Sequence, residues 1–499
     1  MRVYIFLTIS FFMSMLMQVQ AQDQQKETRK AILELRELLS IPNNGLNAKD
    51  IQNNIDYLSK AFTKRGFKTQ EIKTLSNPLL FAERVVSADL PTVLFYMHLD
   101  GQPVDKSKWD QADPYTPVLK QQNEKEEWET INWTNISNEI DPDWRIFGRS
   151  ASDDKMPIVA FLNSIDNLKE QQLKCNIKVV LDSEEEMGSR NLAAAVKENL
   201  DLLSADALII NDGPVHISGE PTLVFGCRGI TSFHLTVYGA VKPQHSGHYG
   251  NYAPNPAFRL SQLLASMKDD DGRVIIKGYY DGIELSNKTR EILAAVPDKP
   301  ANIHALLQIN QPELVGANYQ ESLQYPSLNI RGLKSAWVGA QARTIVPDLA
   351  TAAIDIRLVP ESDPDRLIAL VRKHIEAKGY LILDREPTKE ERINNPRIVT
   401  MKSRGATLPF RTDMDAPISN WLKWAIKSNL KKDPIQIRIM GGTVPMAPFI
   451  KALNVPAVIV PMVNADNNQH SPNENVRVGY ITNAIRTFSA ILTTPFDNR

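Results

Sequence analysis

The chain has 499 residues and a formal net charge of −1, from 57 Lys and Arg against 58 Asp and Glu, which gives no support to a nucleic-acid or anionic-membrane partner. Its length exceeds what one compact core holds, so two or three domains are expected, and 42% hydrophobic with 23% charged residues excludes a disordered chain. Cys175 and Cys227 are the only cysteines, which excludes a disulfide framework and a cysteine zinc site and leaves two buried thiols as the expectation.

Arg2, the largely apolar stretch Val3 to Met17 and the small-x-small triplet Val19-Gln20-Ala21 read as a signal peptide over residues 1–21. The apolar run is short for a membrane span, and no later run is long enough to be one. The sequence therefore predicts an exported protein, periplasmic or secreted, with no membrane span after cleavage.

Lys26 to Leu39 carries Ile32, Leu33, Leu35, Leu38 and Leu39 at helical spacing, and Asn47 to Arg65 reads as a second helix stopped by Gly66. Thr92 to Met97 is a continuous apolar run that meets His98-Leu99-Asp100-Gly101, as a parallel strand covered on both faces would. Residues 102–147 show no clear period and read as a long loop whose tryptophans, Trp109, Trp128, Trp133 and Trp144, pack it together. Gly148 to Lys155 leads into an apolar helix from Met156 to Leu168. A strand from Ile177 to Leu181 then ends in Ser183-Glu184-Glu185-Glu186-Met187-Gly188-Ser189, followed by a helix from about 191 to 203. Ala207 to Ile210 is a further apolar strand, ending in Asn211-Asp212-Gly213. From about Gly219 the texture changes to an α+β insert, with strands at Thr222–Phe225, Ile230–Tyr238, Ser335–Val338 and Ala352–Leu358 and helices at Ala257–Met267 and Asp365–Ala377. The helix Ile418–Leu430, the strand Ala457–Pro461 and a last helix from Gly479 to Thr493 return to the first texture.

Four strand ends thus lead to metal-capable side chains: His98 with Asp100, the triple Glu, Asp212 and, after a longer loop, His470. In doubly wound sheets such ends converge on one site. Three adjacent carboxylates at the end of a core strand also call for positive charge among them. If Asp153 bridges two ions, each receives one His, one terminal carboxylate and the shared Asp, leaving open positions as hydrolytic sites require. Mixed nitrogen and oxygen donors suit zinc, manganese or cobalt better than calcium. One Glu of the triple completes the ligand set and a second is free to be a general base, but the count does not say which is which. Asp100 is placed to accept from the second nitrogen of His98.

These residues resemble the dinuclear zinc metallopeptidase family of carnosinases, cytosolic nonspecific dipeptidases, glutamate carboxypeptidases and aminoacylases. The resemblance rests on His98-Leu99-Asp100, Gly148 to Lys155, Glu185-Glu186-Met187-Gly188-Ser189, Asp212, His245-Ser246-Gly247 and His470-Ser471-Pro472-Asn473-Glu474. Tyr325-Pro326-Ser327-Leu328, Thr344-Ile345-Val346-Pro347, Arg357-Leu358-Val359-Pro360 and Gly441-Gly442-Thr443-Val444-Pro445 resemble the dipeptidase branch. Ser150 and Met156 stand where the family usually has Gly.

The resemblance implies an α/β fold: a zinc-peptidase-like catalytic domain with a mixed, mostly parallel sheet flanked by helices, interrupted by an α+β lid and dimerisation domain. On this chain that gives catalytic parts over 22–218 and 406–499 and a lid over 219–405. It implies two divalent ions per subunit, zinc foremost, held by His98, Asp153, Glu186, Asp212 and His470. It makes Glu185 the general base, has His245 stabilise the oxyanion in the partner subunit's site, and has Arg357, Thr344, Gly441, Gly442 and Thr443 hold the substrate's carboxyl end. The activity expected is hydrolysis of dipeptides or short peptides by metal-bound hydroxide. The alternatives are an N-acyl-amino-acid hydrolase or carboxypeptidase of the same family and, from another class, a non-catalytic binding module on the same scaffold.

Overall fold

The continuous apolar runs become the middle of an eight-stranded mixed sheet. In this computed structural model, which describes residues 23–444 and 446–496, the strands Asn176–Asp182, Thr92–His98, Ala207–Ile210 and Ala457–Ile459 lie side by side and parallel. Almost every residue in them is buried, which is why they show no alternation in sequence. Lys68–Ile72 and Leu79–Arg84 extend one edge antiparallel, and Thr222–Val224 with Ile435–Ile437 completes the other. The leader expected over residues 1–21 lies outside the described residues, as does Pro445.

Helices Lys155–Asn167 and Val478–Thr493 pack together through Phe161 and Phe488, whose rings sit 5.2 Å apart, and Phe95 of the sheet meets Phe161 at 5.1 Å. The amphipathic helix over residues 23–39 buries Ile32, Leu35, Leu38 and Leu39, but Leu33, expected on the same face, is exposed. One residue beyond Ile32 it is turned by about 100°, off the buried stripe. The helix expected over 191–203 is two short ones, Leu192–Glu198 and Leu200–Leu203, broken at Asn199. Both cysteines are buried and neither is in a disulfide.

The expectation of a structureless loop over 102–147 is corrected. Val118–Gln122, Trp128–Ile131 and Arg145–Phe147 form an antiparallel sheet that Asn475–Arg477 completes. Strands this short, with charged residues on them, leave no readable period. The tryptophans do pack the segment: Trp128 lies 5.4 Å from Phe147 with Arg145 stacked over it, and Arg149 stacks over Trp109.

The chain divides into two compact units. Among the described residues, the first comprises those up to Phe225, Thr412–Gln436 and those from Pro448 on; the second comprises those of Gly226–Arg411 and Ile437–Ala447. The second unit holds a five-stranded sheet in the order Asn329–Lys334, Leu349–Leu358, Gly229–Tyr238, Ile398–Ser403, Leu381–Leu383. Helices Pro256–Ala265 and Pro364–Ala377 bury Leu260, Leu263, Leu367 and Val371 in one core with Phe233, Leu235 and Ile354 of the sheet. One edge strand is Asn329–Lys334, and the strand expected at Ser335–Val338 does not form; all six residues of the edge strand are exposed, so no buried face marks it in the sequence. No helix among the described residues is long and apolar enough to cross a membrane.

Candidate metal centre

Each parallel strand delivers a chemically active side chain at its carboxyl end. His98 is the last residue of its strand, and Asp212 follows Ile210 by two. Beyond Asp182 the chain makes a single tight turn, Glu185–Met187, closed by Gly188 in the left-handed conformation at φ 85°, where a Cβ-bearing residue would be strained. Asp153 precedes the helix Lys155–Asn167, across a cis peptide bond to Asp154. His470 arrives on the loop after Ala457–Ile459.

The structure brings all five of these ligand candidates into two groups that share one residue. His98, Asp153 and Asp212 form one, and Asp153, Glu186 and His470 the other, with ligand atoms within 4.8 Å of one another. Asp153 turns Oδ1 to His98 Nε2 at 2.8 Å and Oδ2 to His470 Nε2 at 3.0 Å, and His470 Nε2 lies 3.0 Å from Glu186 Oε2. Glu185, next to Glu186, belongs to neither group. Glu184 turns away, its carboxylate accepting from Asn77 N at 3.3 Å and Asn191 Nδ2 at 3.2 Å.

Asp100 does more than the sequence suggested. Its Oδ1 lies 3.4 Å from His98 Nδ1, long for a hydrogen bond, while its two oxygens accept from the backbone N–H of Glu185 and Glu186 at 3.1 and 3.3 Å. One buried carboxylate therefore holds the Glu turn by hydrogen bonds while facing the imidazole of His98. Asp154, fully buried, accepts from His98 N at 3.2 Å. Ser150, in place of a family Gly, adopts φ 63°, the left-handed region that Gly enters freely, and Asn43 Nδ2 donates to its Oγ at 2.9 Å.

Sequence reasoning gave no role to three residues that shape this centre. Gln469 Nε2 donates to Asp153 Oδ2 at 2.8 Å. The ammonium of Lys155 is buried, pushed down to about 7 by that burial, and donates to the carbonyls of Leu38 and Ile41 at 2.9 and 2.7 Å. Glu474 accepts from the loop that carries Asp153. Lys155 and Glu474 lie within the motif stretches Gly148 to Lys155 and His470 to Glu474, and Gln469 directly precedes His470.

Electrostatics show what the cluster lacks. Burial pushes Asp212 up to about 6, with the Asp153 carboxylate adding to it, and burial pushes Asp100 up to about 6 against the pull of His98. Burial likewise holds Glu185 well above the carboxylate range, with Asp212 and Asp153 contributing. The Asp153 and Glu186 carboxylates hold His470 up to about 10. Burial opposes protonation of His98, but Asp100 and Asp153 outweigh it and keep its pKa well above the ordinary value. So many buried carboxyls held above their ordinary range, with the His98 and His470 imidazoles as the cations directly on them, make a site whose charge a pair of divalent ions would balance. The donors, one His and two carboxylates in each group with one carboxylate shared, fit such ions.

The remaining site candidates lie in the second unit. His245 is exposed at the start of the short helix Ser246–Tyr249, its Nδ1 accepting from Gly247 N, and its ring is 4.9 Å from that of His248. Thr344 accepts at its carbonyl from Ser246 N at 3.0 Å. Arg357 Nη1 donates to Thr443 Oγ1 at 2.7 Å, which joins the strand Leu349–Leu358 to the segment holding Gly441 and Gly442.

Comparison with known proteins places this arrangement. The model of peptidase family M20/M25/M40 matches residues 94–494. The chain belongs to this family. It is a metallopeptidase, and the expected resemblance and fold class stand. It is 28% identical over 415 residues to the Beta-Ala-His dipeptidase of Mus musculus, covering 81% of this chain and 77% of the relative. It is 26% identical over 420 residues to the Cys-Gly metallodipeptidase of Saccharomyces cerevisiae, covering 80% and 78%. Among solved structures, an M20 family metallo-carboxypeptidase from Sulfolobus solfataricus superposes with a TM-score of 0.72 at 27% identity, over 93% of this chain and 98% of that one.

These relatives correct one expectation. The chain was expected to be exported, periplasmic or secreted, yet the yeast Cys-Gly dipeptidases that it matches are cytosolic enzymes. The only support for export was residues 1–21, which lie outside the described residues, so that localisation is not carried forward.

Proposed function

We propose that this metallopeptidase is a dinuclear zinc dipeptidase in which Glu185 is the general base. The observation that carries the reading is Asp153, shared between two three-residue ligand groups, with the Glu185 carboxyl beside them and in neither. His98, Asp153 and Asp212 would hold one ion and Asp153, Glu186 and His470 the other. When bound, such ions polarise a scissile carbonyl and lower the pKa of water. Glu185, ionised once the positive charge of such ions offsets the neighbouring carboxylates, would take the proton from the attacking water as the carbonyl C–O bond forms, then deliver it to the leaving amine nitrogen as the C–N bond breaks. Asp100 keeps Glu185 and Glu186 in register through their backbone N–H groups.

The substrate class follows the relatives, whose names specify Beta-Ala-His and Cys-Gly dipeptides. Arg357, fixed by Thr443, is a fork suited to the substrate's free carboxylate, with Thr344 and the Gly441–Gly442 backbone as further contacts. Exposed His245 is read as the oxyanion donor supplied to a partner subunit, so the working enzyme is a homodimer formed through the α+β unit. The Sulfolobus likeness favours a second reading, a carboxypeptidase on longer peptides. Turnover on a panel of free dipeptides, longer peptides and N-acetylated amino acids, with zinc, manganese or cobalt added, decides between them. Dipeptides cleaved fastest supports the first reading, and tripeptides or N-acetyl amino acids cleaved faster overturns it.

A further inference from the structure

We propose that Glu474 is a positioning residue that locks the bridging ligand Asp153 to the loop carrying His470. The inference rests on the reading of those two residues as metal ligands. Glu474 is fully buried and holds five donors at once. Its Oε1 accepts from Ser152 N at 3.0 Å, Ser152 Oγ at 2.9 Å and Asp153 N at 3.0 Å. Its Oε2 accepts from Arg149 Nη1 at 2.7 Å and Ser150 N at 2.9 Å.

The geometry is that of an anion nest filled from within the chain. With Ser150 at φ 63°, the backbone N–H groups of Ser150, Ser152 and Asp153 converge on one point, where a carboxylate is needed and no neutral group serves as well, while that of Ala151 turns back to the Gly148 carbonyl. The carboxylate comes from four residues beyond His470, and the chain continues from it directly into Asn475–Arg477, which pairs antiparallel with Arg145–Phe147. Gly148 N donates to the Glu474 carbonyl at 3.0 Å, extending that pairing to the start of the Asp153 loop. Asp153 and His470, two of the three ligands in the second metal group, are therefore tied to each other by backbone ladder and by carboxylate. Asp153 also serves the first group, so the tie reaches both ions.

An amide in this place fails for a definite reason. All five partners are donors, so either orientation of a Gln side chain turns an NH2 group onto at least two of them. The test measures Zn2+ binding to the full chain by calorimetry, with kcat and KM at saturating zinc and the melting temperature of the zinc-free protein. Glu474→Gln is expected to weaken binding of both ions by roughly 10–100-fold, the range seen when a ligand-orienting partner is lost. It should also lower kcat with KM unchanged, while the zinc-free protein still folds. Two ions bound with wild-type affinity and unchanged kcat by a folded Glu474→Gln overturns the inference. Should that variant not fold, Ser152→Ala removes one of the five bonds without adding a donor. Its zinc affinity is expected to fall by about threefold to tenfold, and no change overturns the inference. Failure of the unsubstituted protein to bind two zinc ions would instead overturn the ligand reading on which it rests.

Discussion

Neutralising the carboxylates one at a time separates the two metal groups. Asp212 belongs only to the group with His98, Glu186 only to the group with His470, and Asp153 to both. Asp212→Asn and Glu186→Gln should each spare one site and cripple the other, whereas Asp153→Asn should cripple both. The size of the effect follows from what each oxygen touches. Asp153 Oδ1 faces His98 at 2.8 Å and Oδ2 faces His470 at 3.0 Å, so an Asn there presents its NH2 to one imidazole whichever way it is turned. Losing a group that merely orients a ligand costs roughly 10–100-fold in metal affinity, so loss of a ligand itself should exceed about 100-fold. That is about 2.8 kcal/mol per ion. Zinc calorimetry with elemental analysis after dialysis should return two ions for the unsubstituted chain, one for each single-group variant and none for Asp153→Asn. An Asp153→Asn protein that loses one ion and keeps the other at full affinity would refute the shared-ligand geometry.

Two further outcomes follow from the same geometry. Metal affinity should weaken steeply as pH falls through about 6, because Asp212, pushed up to about 6 by burial and Asp153, must shed its proton and His470, held up to about 10, must shed its own. Zinc titrations at several pH values check this, and an affinity flat from pH 7.5 to 5.5 would contradict it. Arg357→Lys should raise KM for substrates with a free carboxyl end, since a point charge replaces the fork fixed on Thr443, and should leave metal content unchanged in the same elemental assay.

The parallel core was legible in the sequence because strands covered on both faces need apolar residues without interruption, as Val93 to Met97 and Ala207 to Ile210 have. Ligand candidates at their ends followed from that placement alone. Composition did not say which Glu of the triple faces the centre. That register depends on the turn closed by Gly188 and on Asp100 accepting from two successive backbone N–H groups, and both are tertiary facts. The sheet within 102–147 was hidden because strands such as Trp128–Ile131 are too short and too charged for a period to show. The edge strand Asn329–Lys334 was hidden because an exposed strand has no face to bury. Gln469 looks like an ordinary polar loop residue, and Glu474 like a motif residue without a role, until Asp153 is brought 2.8 Å from one side chain and its backbone N–H onto the other.

In the proposed mechanism Glu186 belongs to the metal and Glu185 to the proton. The most direct test is a Glu185→Gln protein assayed together for bound zinc and for dipeptide turnover. Two zinc ions per chain are expected, as in the unsubstituted protein, with kcat lowered by at least about 100-fold through loss of the general base. Near-normal turnover would contradict the assignment of Glu185 as the base, and loss of one zinc ion would contradict the register that sets it apart from the ligands.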